Sequence, residues 1–319
     1  MTTPAVALLR ENFPKAFISY VVEKPYSPLV TGNPAIDRVI ALEKKQSLKY
    51  FLGEIREIRK EKYDVVLDFH GGPRASLLTF FSKAKLKIGY KVKYKNFIYD
   101  IKIPRKPKNG SIHSVENHVN LVRALGINST TIPPLSLPLP LKPEVENVKR
   151  IIEDNKLEGS RMIVLHISAG NRFRDWGVDK IAKLINLLAK SPGTKIVLVG
   201  SEEDQKAAEE IQKKCDSAVL SLVGKLSLME LKELISRSAL FVGPDSGPMH
   251  IAASTSTPIV AYFGPTLPVH FSPWKARFFV VEKKLDCRPC KQKHCLSEDF
   301  RCLQTITPEE IFEACLSFI

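Results

Sequence analysis

The residues best suited to chemistry lie in one turn, within the stretch Leu240-Phe-Val-Gly-Pro-Asp-Ser-Gly-Pro-Met-His250. Its apolar start predicts a buried strand that ends at Gly243, and the residues from Pro248 onward predict a helix. The small residues of the turn, Asp245-Ser246-Gly247, let a ligand approach the backbone, and the start of a helix offers free N–H groups and partial positive charge. The combination is typical of a diphosphate site, although an aspartate-capped turn followed by a core histidine gives the same pattern.

Three further polar loops follow predicted strands of the same half of the chain. The stretch His166-Ile-Ser-Ala-Gly-Asn-Arg-Phe-Arg-Asp-Trp176 carries two arginines, whose forked guanidinium groups suit phosphate oxygens. The stretch Val199-Gly-Ser-Glu-Glu203 places carboxylates where ribose hydroxyls are commonly bound, and Gly264-Pro-Thr266 follows a later strand. Because the C-terminal ends of parallel strands meet at one edge of a sheet, we expect all four loops to converge on one crevice.

Short β-branched runs alternate with amphipathic stretches, which predicts an α/β fold with parallel sheets. The five prolines of residues 130–144 predict a stiff extended connector. We therefore expect two Rossmann-like domains, residues 1–143 and 144–319, facing a central cleft, with the final helix a candidate to pack back on the first domain. The predicted strands are 17–22, 38–42, 65–69, 86–89, 98–103, 162–166, 195–199, 240–242, 259–263 and 278–281. The predicted helices are 4–12, 48–61, 74–82, 115–125, 179–189, 204–215, 228–237, 248–253 and 308–318.

The net charge is +14, from 48 Lys and Arg against 34 Asp and Glu. A field of this sign favours an anionic partner such as a phosphorylated substrate or a membrane surface, although a lysine-rich surface also serves solubility. The chain has no nucleic-acid-binding motif, so no nucleic-acid partner is expected. No apolar run reaches the ~20 residues of a transmembrane helix, and the first residues do not resemble a signal peptide, which predicts a cytoplasmic location. The charge is densest at Lys83, Lys85, Lys87, Lys91, Lys93, Lys95, Lys102, Arg105, Lys106 and Lys108.

The first domain offers weaker candidates for binding a second substrate. Asp68 and Glu116 are carboxylates that could line the cleft, and His70 is a comparable case. Arg74 could meet an acceptor phosphate or carboxylate. Loop carboxylates usually cap a helix or form a salt bridge, and Arg74 could equally be a solvated helix residue.

Taken together, these motifs resemble glycosyltransferase family 9, the ADP-heptose:lipopolysaccharide heptosyltransferases. The likeness is specific in the second domain and looser but continuous in the first, where it includes Asp68-Phe-His-Gly71 and His113-Ser-Val-Glu116. The matching pieces of the second domain are His166-Ile-Ser-Ala-Gly with Arg174-Asp-Trp176, Gly200-Ser-Glu202, Leu222-Val-Gly-Lys225, Val242-Gly-Pro-Asp-Ser-Gly-Pro-Met-His250 and Phe263-Gly-Pro-Thr266.

The resemblance implies a GT-B fold and an inverting transfer of heptose from ADP-heptose, or a related nucleotide sugar, to the inner core of lipopolysaccharide. It implies no cofactor and no metal, because arginine and a helix terminus would neutralise the leaving diphosphate. The anionic acceptor and docking on the inner leaflet of the inner membrane would account for the positive charge. The residues assigned to the nucleotide sugar by the resemblance are Ser168, Ala169, Arg174, Glu202, Asp245, Ser246, Gly247 and His250.

The chain departs from the family at its start. It opens on a predicted helix with Thr3 as N-cap and Pro4 in the first turn, whereas a doubly wound domain begins with a central strand. In the family a Gly-Asp motif after that strand supplies an aspartate thought to act as general base. We therefore expect both the strand and the catalytic aspartate to lie upstream of Met1.

Two other functions fit the same motifs. One is transfer of another nucleotide-activated sugar by the same fold. The other is nucleotide binding without catalysis, which the expected position of the base upstream of Met1 would explain. A dinucleotide dehydrogenase does not fit, because no G-x-G-x-x-G follows a predicted strand.

Four of the six cysteines lie close together, at Cys287, Cys290, Cys295 and Cys302. Only the first pair has the short spacing that tetrahedral zinc sites usually show. A cytosolic location disfavours disulfides except in hyperthermophiles. Free thiols, a zinc site and disulfides therefore all remain open at these four positions.

Overall fold

Parallel strands alternate with helices throughout the computed structural model, which describes residues 1–43, 47–92, 97–105 and 111–319. The chain divides into two units, Met1–Pro138 and Leu139–Ile319, whereas the predicted boundary lay between residues 143 and 144. In the described part of the chain, none of the helices has both the length and the apolar character that crossing a bilayer requires.

Unit 1, Met1–Pro138, is built on parallel strands that form two separate sheets in its described residues. One sheet pairs β1 with β2, and the other has the order β3-β4-β5. Tyr63, just before β3, and Ser19, at the start of β1, bring their hydroxyl oxygens to 2.5 Å, so a hydrogen bond links the sheets at this end. The strands are β1 Ser19–Glu23, β2 Arg38–Leu42, β3 Val65–Asp68, β4 Leu86–Tyr90 and β5 Ile101–Ile103.

The helices of unit 1 bury their apolar faces against one another and against these sheets. Helix α1 packs on α4, and it buries Ala5, Val6 and Leu8 almost completely. Burial of such side chains stabilises the unit by about 1.5–3 kcal/mol for a Val or a Leu. The helices are α1 Thr3–Asn12, α2 Leu48–Lys60, α3 Pro73–Phe81 and α4 Ser114–Arg123.

Unit 2, Leu139–Ile319, contains one parallel sheet in the order β11-β10-β9-β6-β7-β8. From β6 the chain winds to one side through β7 and β8, and it then returns to β9 and continues to the other side. The order reverses between β6 and β9, and in open α/β sheets this switch point is where ligands bind. The strands are β6 Arg161–His166, β7 Thr194–Val199, β8 Leu220–Ser221, β9 Leu240–Pro244, β10 Ile259–Phe263 and β11 Phe278–Glu282.

Helices cover the sheet of unit 2 and complete its core. Helix α12 packs on α6 and on strands β10 and β11 of its own unit, and α6 packs on α7. Helix α8 contacts both α5 and α9. The helices are α5 Lys142–Asp154, α6 Val178–Ala189, α7 Gln205–Lys214, α8 Leu228–Ser236, α9 Gly247–Ala252, α10 Pro268–Phe271, α11 Arg301–Gln304 and α12 Pro308–Leu316.

Every predicted strand and helix matches an element of the structure, with ends displaced by at most a few residues. Helices α5, α10 and α11 and strand β8 have no predicted counterpart. Two further details of the prediction are wrong. Thr3 is the first helical residue and not the N-cap, and its hydroxyl oxygen accepts a hydrogen bond of 3.2 Å from the Ser136 amide. The extended connector ends early, because Pro143 lies in the first turn of α5, where its missing N–H costs nothing. The Glu144 carboxylate completes this start by accepting a 2.6 Å bond from the Leu141 amide.

Candidate functional site

The loops after β6 and β9 meet at the switch point of the unit 2 sheet. His166 is the last residue of β6, and the next residues lead into a single 3-10 turn, Arg172–Arg174. Strand β9 ends at Pro244 and is followed at once by Asp245 and Ser246. Since β6 and β9 are hydrogen-bonded neighbours, the polar residues of both loops emerge side by side.

The guanidinium group of Arg174 binds the turn that contains Asp245. Its Nη1 donates a 3.0 Å hydrogen bond to the Asp245 carbonyl oxygen and lies 3.6 Å from Oδ2 of the same residue. The hydroxyl of Thr266, from the loop after β10, donates a 2.6 Å hydrogen bond to that Oδ2. Three of the four predicted loops are therefore joined through one carboxylate.

Asp245 is buried, and burial raises the pKa of its carboxyl above the usual range, while the Thr266 hydroxyl and the Arg174 charge act in the opposite direction. The Arg174 side chain, by contrast, keeps 27% of its surface exposed. The pair thus consists of a buried anchor and a cation that faces solvent, which is an arrangement suited to holding an anionic ligand.

A second side-chain pair joins the same two loops. The Ser246 hydroxyl lies 3.1 Å from Nδ1 of His166, and both residues are buried. Burial lowers the pKa of His166 from 6.5 to about 4, so this imidazole is neutral at neutral pH. His166 therefore orients Ser246 without adding positive charge to the site.

The glycines in and near the turn at Asp245 differ in how much space surrounds them. A Cβ atom on Gly243 would lie 3.0 Å from the His166 Cβ, and one on Gly264 would lie 2.5 Å from the Leu303 Cγ. A Cβ on Gly247 would meet no atom within 4 Å. Gly243 and Gly264 are thus needed for packing, whereas the backbone at Gly247 faces open space that a ligand can use.

The other predicted residues of unit 2 lie in the loops after β6 and β7 and on α9. Ser168 and Ala169 are half-buried in the loop after β6, where the Ser168 Oγ accepts a 3.0 Å hydrogen bond from the Gly170 amide. His250 is half-buried on α9. Glu202 is exposed in the loop after β7, and among the described residues no hydrogen bond or ion pair joins it to the loops after β6 and β9.

The segment that follows β11 supplies a residue of the site that sequence reasoning missed. The Gln292 side-chain oxygen accepts hydrogen bonds from Nε of Arg174, at 3.1 Å, and from Nδ2 of Asn171, at 2.9 Å. From the same segment, Nη2 of Arg288 donates a 2.6 Å bond to the Thr266 carbonyl oxygen. No local pattern marks Gln292, because it lies in an irregular loop far along the chain from Arg174. Thr266 belongs to the predicted loop Gly264-Pro-Thr266, and the structure adds that its hydroxyl binds Asp245.

In unit 1, Asp68 holds the turn that follows β3. Its Oδ1 accepts hydrogen bonds from the amides of His70, at 3.0 Å, and Gly71, at 2.8 Å, and its Oδ2 accepts one from the Tyr99 hydroxyl at 2.5 Å. Burial and the neighbouring carboxylate both raise the pKa of Tyr99 above its usual range. These contacts give Asp68 a structural role in its own unit, and its role toward an acceptor stays a prediction.

The other unit 1 candidates also have partners within the unit. Arg74 forms a partly buried ion pair with Glu54, and its Nη2 donates a 2.8 Å hydrogen bond to the Glu43 carbonyl oxygen. Nδ1 of His70 accepts a 3.2 Å bond from the Gly72 amide, and Glu116 is half-buried in the first turn of α4. Their binding of an acceptor stays a prediction.

Part of the predicted basic stretch lies within the described residues of unit 1. Lys85 pairs with Asp64, and Lys87 pairs with Asp100. The guanidinium carbon of Arg105 lies 5.0 Å from the centre of the Tyr90 ring. Lys93, Lys95, Lys106 and Lys108 lie outside the described residues.

The four neighbouring cysteines of unit 2 line one small cavity of about 20 Å³. All six cysteines of the chain are free thiols in the structure. Among the described residues, no three His, Cys, Asp or Glu side chains are arranged to hold a metal ion.

Comparison with known proteins identifies the family of the chain. Residues 53–300 match the family model of glycosyltransferase family 9 (heptosyltransferase). A similar curated protein is lipopolysaccharide heptosyltransferase 3 of Escherichia coli, 26% identical over 295 residues that cover 86% of this chain and 82% of that protein.

Solved structures of the same kind share the fold. A glycosyl transferase family 9 structure from Veillonella parvula DSM 2008 superposes with a TM-score of 0.91 at 23% identity and covers 99% of this chain and 92% of its own. The E. coli ADP-heptose LPS heptosyltransferase II superposes with a TM-score of 0.78 at 21% identity, over 99% and 93% of the two chains. The GT-B fold predicted from the sequence is confirmed. The chain belongs to glycosyltransferase family 9, the heptosyltransferase family.

Proposed function

We propose that this protein transfers heptose from ADP-heptose to the core of lipopolysaccharide, with inversion at the anomeric carbon. Membership of the heptosyltransferase family supports the reaction class. The names of its relatives, a lipopolysaccharide heptosyltransferase and an ADP-heptose LPS heptosyltransferase, support the donor and the acceptor. The observation that carries the proposal is the linkage of Arg174, Asp245 and Thr266 at the switch point of the unit 2 sheet.

The ADP diphosphate is assigned to the space in front of Arg174. The guanidinium is partly exposed and is held from behind by the Asp245 carbonyl oxygen and by Gln292, so it is positioned before the ligand arrives. The open backbone at Gly247 and the loop with Ser168 and Ala169 border the same switch point. Helix α9 is only six residues long, so Arg174 supplies more of the positive charge than the helix does.

This arrangement acts on the step in which the sugar leaves ADP. As the bond between the anomeric carbon and the diphosphate breaks, negative charge grows on the diphosphate oxygens. A fixed arginine stabilises this charge without having to reorganise, and this kind of preorganised stabilisation is a large part of enzymatic rate enhancement. Asp245 keeps Arg174 in place, so it acts as a positioning residue.

Residues 144–319 are proposed as the nucleotide-sugar domain and residues 1–143 as the acceptor domain. Glu202 is proposed to bind the ribose, since it follows β7 at the same edge of the sheet. Asp68, His70, Arg74 and Glu116 remain proposals for the acceptor side.

The acceptor and the place of action are proposed from charge. A net charge of +14 favours a phosphorylated acceptor and peripheral attachment to the inner leaflet of the inner membrane, on the cytoplasmic side. Co-sedimentation with vesicles tests the attachment: we expect binding to vesicles that contain anionic lipid and not to neutral vesicles. Equal binding to both, or binding to neither, would contradict it.

Calorimetric titration with ADP, UDP and NAD tests the nucleotide assignment. We expect tight binding of ADP alone, and at least tenfold weaker ADP binding by Arg174→Ala, equivalent to about 1.4 kcal/mol. Arg172→Ala is the matched control, because this neighbouring guanidinium lies over the Phe173 ring, 5.1 Å from its centre. A preference for UDP would mean that the donor is another sugar nucleotide and not ADP-heptose. Unchanged ADP binding by Arg174→Ala would show that Arg174 does not belong to the nucleotide site.

A further inference from the structure

Helix α3 of unit 1 turns an apolar face toward solvent. Pro73, Leu77 and Phe80 follow one another at the i, i+4 and i+7 spacing of a single helix face. All three are exposed, and Leu77 and Phe80 keep 45% and 44% of their surface accessible. The solvent-facing side of a surface helix is normally polar, so this face calls for a partner.

Phe97, in the segment between β4 and β5, enlarges this apolar face. It is 78% exposed, and the centre of its ring lies 6.1 Å from that of Phe80 in an edge-to-face contact. Single exposed apolar side chains are common on proteins, whereas an adjoining group of them marks an interaction site. We call Pro73, Leu77, Phe80 and Phe97 together the α3 surface.

The charges on and near α3 are cationic. The helix contains no acidic residue, and Arg74 is paired with Glu54 of α2. At the C-terminal end of α3, Nε of Arg59 donates a 2.7 Å hydrogen bond to the Phe81 carbonyl oxygen, and Lys83 is exposed. The residues that precede Phe97 in the sequence add Lys91, Lys93 and Lys95. The α3 surface therefore combines apolar side chains with a positively charged border.

We propose that the α3 surface docks on a bilayer of anionic lipid. Leu77, Phe80 and Phe97 enter the interface between headgroups and acyl chains, and the bordering cations bind headgroup phosphates. Exposed aromatic and aliphatic side chains beside Lys and Arg are the usual means of such interfacial attachment. Pairing of this surface with a second copy of the chain would bring cations against cations, so charge favours the anionic bilayer.

This docking would place the acceptor candidates at the bilayer surface. Pro73 directly follows the turn in which Asp68 accepts hydrogen bonds from the His70 and Gly71 amides. With α3 on the bilayer, that turn lies where a lipid-linked acceptor presents its sugars. The acceptor and the inner leaflet rest on the proposed function, whereas contact of the α3 surface with anionic lipid does not.

Co-sedimentation of the full chain with vesicles of equal parts phosphatidylglycerol and phosphatidylethanolamine tests the aromatic contacts. We expect the double variant Phe80→Ser, Phe97→Ser to bind about tenfold more weakly than the wild type, because two rings no longer enter the interface. Phe279→Ser is the matched control, since this phenylalanine of unit 2 is 47% exposed, and it should bind like the wild type. Thermal unfolding checks that the variants are folded.

A pair of charge reversals separates the cationic border from the net charge. Lys83→Glu should weaken vesicle binding by about fivefold, because a cation at the lipid surface is lost. Lys156→Glu, at an exposed lysine of unit 2, changes the net charge by the same amount and should have a smaller effect. Equal effects of the two reversals would show that only the overall charge acts and would overturn the cationic border.

Fluorescence gives a readout of insertion that does not depend on weakened binding. Phe97→Trp should be quenched by lipids brominated on their acyl chains beyond the quenching of the two native tryptophans, measured in the wild type. Phe279→Trp is the control and should show no additional quenching. Absence of additional quenching in vesicle-bound Phe97→Trp would overturn insertion of the α3 surface.

The remaining outcomes distinguish this surface from the proposed function. Wild-type vesicle binding that the double variant retains in full would overturn the α3 surface and leave the proposed function standing. A wild-type dimer in light scattering that the double variant converts to monomers would assign the surface to a second copy and overturn the proposal. ADP binding should be the same in the wild type and the double variant, and its loss in both would count against the proposed function alone.

Discussion

The hydroxyl of Thr266 donates a 2.6 Å hydrogen bond to Oδ2 of Asp245, and this bond joins the loop after β10 to the turn after β9. Both residues are buried, so neither can exchange the partner for water. The bond fixes the carboxylate next to the Arg174 guanidinium, which lies 3.6 Å away. In the proposed function, Thr266 thus acts on the diphosphate through Asp245 and Arg174.

Replacing Thr266 by valine should weaken both stability and ADP binding. The buried Asp245 carboxylate loses a donor, at a cost of about 1–3 kcal/mol in the free energy of unfolding. ADP affinity should fall about tenfold, because Arg174 loses a fixed partner, and Thr266→Ser should restore it. Denaturant unfolding and calorimetry measure the two effects.

Thr257 offers the matched control for this substitution. It is also buried, and its hydroxyl donates a 2.6 Å bond to the Ile235 carbonyl oxygen away from the site. Thr257→Val should lower stability by a similar amount and leave ADP affinity unchanged. A Thr266→Val protein that binds ADP as tightly as the wild type would show that the threonine serves stability alone.

Two glycine substitutions should separate packing from ligand approach. Gly264→Ala places a methyl group 2.5 Å from Leu303 Cγ and should cost about 1–3 kcal/mol of stability. Gly247→Ala meets no protein atom within 4 Å, so its stability should be near that of the wild type, whereas its ADP affinity should drop because the methyl group enters the ligand space. Thermal unfolding and calorimetry distinguish the two. Unchanged ADP affinity in Gly247→Ala would show that the ligand does not bind at this turn.

Stability should fall in mild acid because of His166. The folded protein keeps this imidazole neutral down to about pH 4, whereas the unfolded chain binds the proton below its ordinary pKa of 6.5. The unfolded state therefore gains protons first as the pH falls, and the free energy of unfolding drops between pH 6.5 and 4 by roughly 3 kcal/mol. This contribution is fully present above pH 6.5.

Comparison of His166→Asn with the wild type isolates this effect. Asparagine can keep a partner for the Ser246 hydroxyl but has no proton to gain, so the difference in stability between wild type and variant should shrink as the pH is lowered. His294→Asn, at an exposed histidine, is the control and should follow the wild type. A constant difference between His166→Asn and wild type from neutral pH to about pH 4 would mean that His166 titrates normally in the folded state.

The strand ends and the first site residues were predictable because their signals are local. A buried apolar run followed by Gly-Pro-Asp-Ser-Gly specifies a strand and a turn, and the structure places β9 and Asp245 accordingly. The contact between Arg174 and Asp245 followed only as an expectation of convergence, since parallel strands end at the same edge.

What could not be predicted depends on contacts distant in sequence or on local context. Gln292 reaches Arg174 from an irregular loop, so neither periodicity nor turn chemistry points to it. Helix α5 was missed because Pro143 belongs to a proline-rich run, although a proline in a first turn starts a helix as readily as it prevents one. The shared cavity of the four cysteines is likewise a property of the folded loop, since their spacing left three chemical states open.

A crystal structure of the protein with ADP-heptose, or with ADP where the sugar is hydrolysed, tests the central claim most directly. We predict diphosphate oxygens within hydrogen-bonding distance of the Arg174 guanidinium and next to the backbone at Gly247, with Asp245 still bonded to Thr266. Diphosphate density elsewhere, with Arg174 contacting only Asp245 and Gln292, would contradict the account.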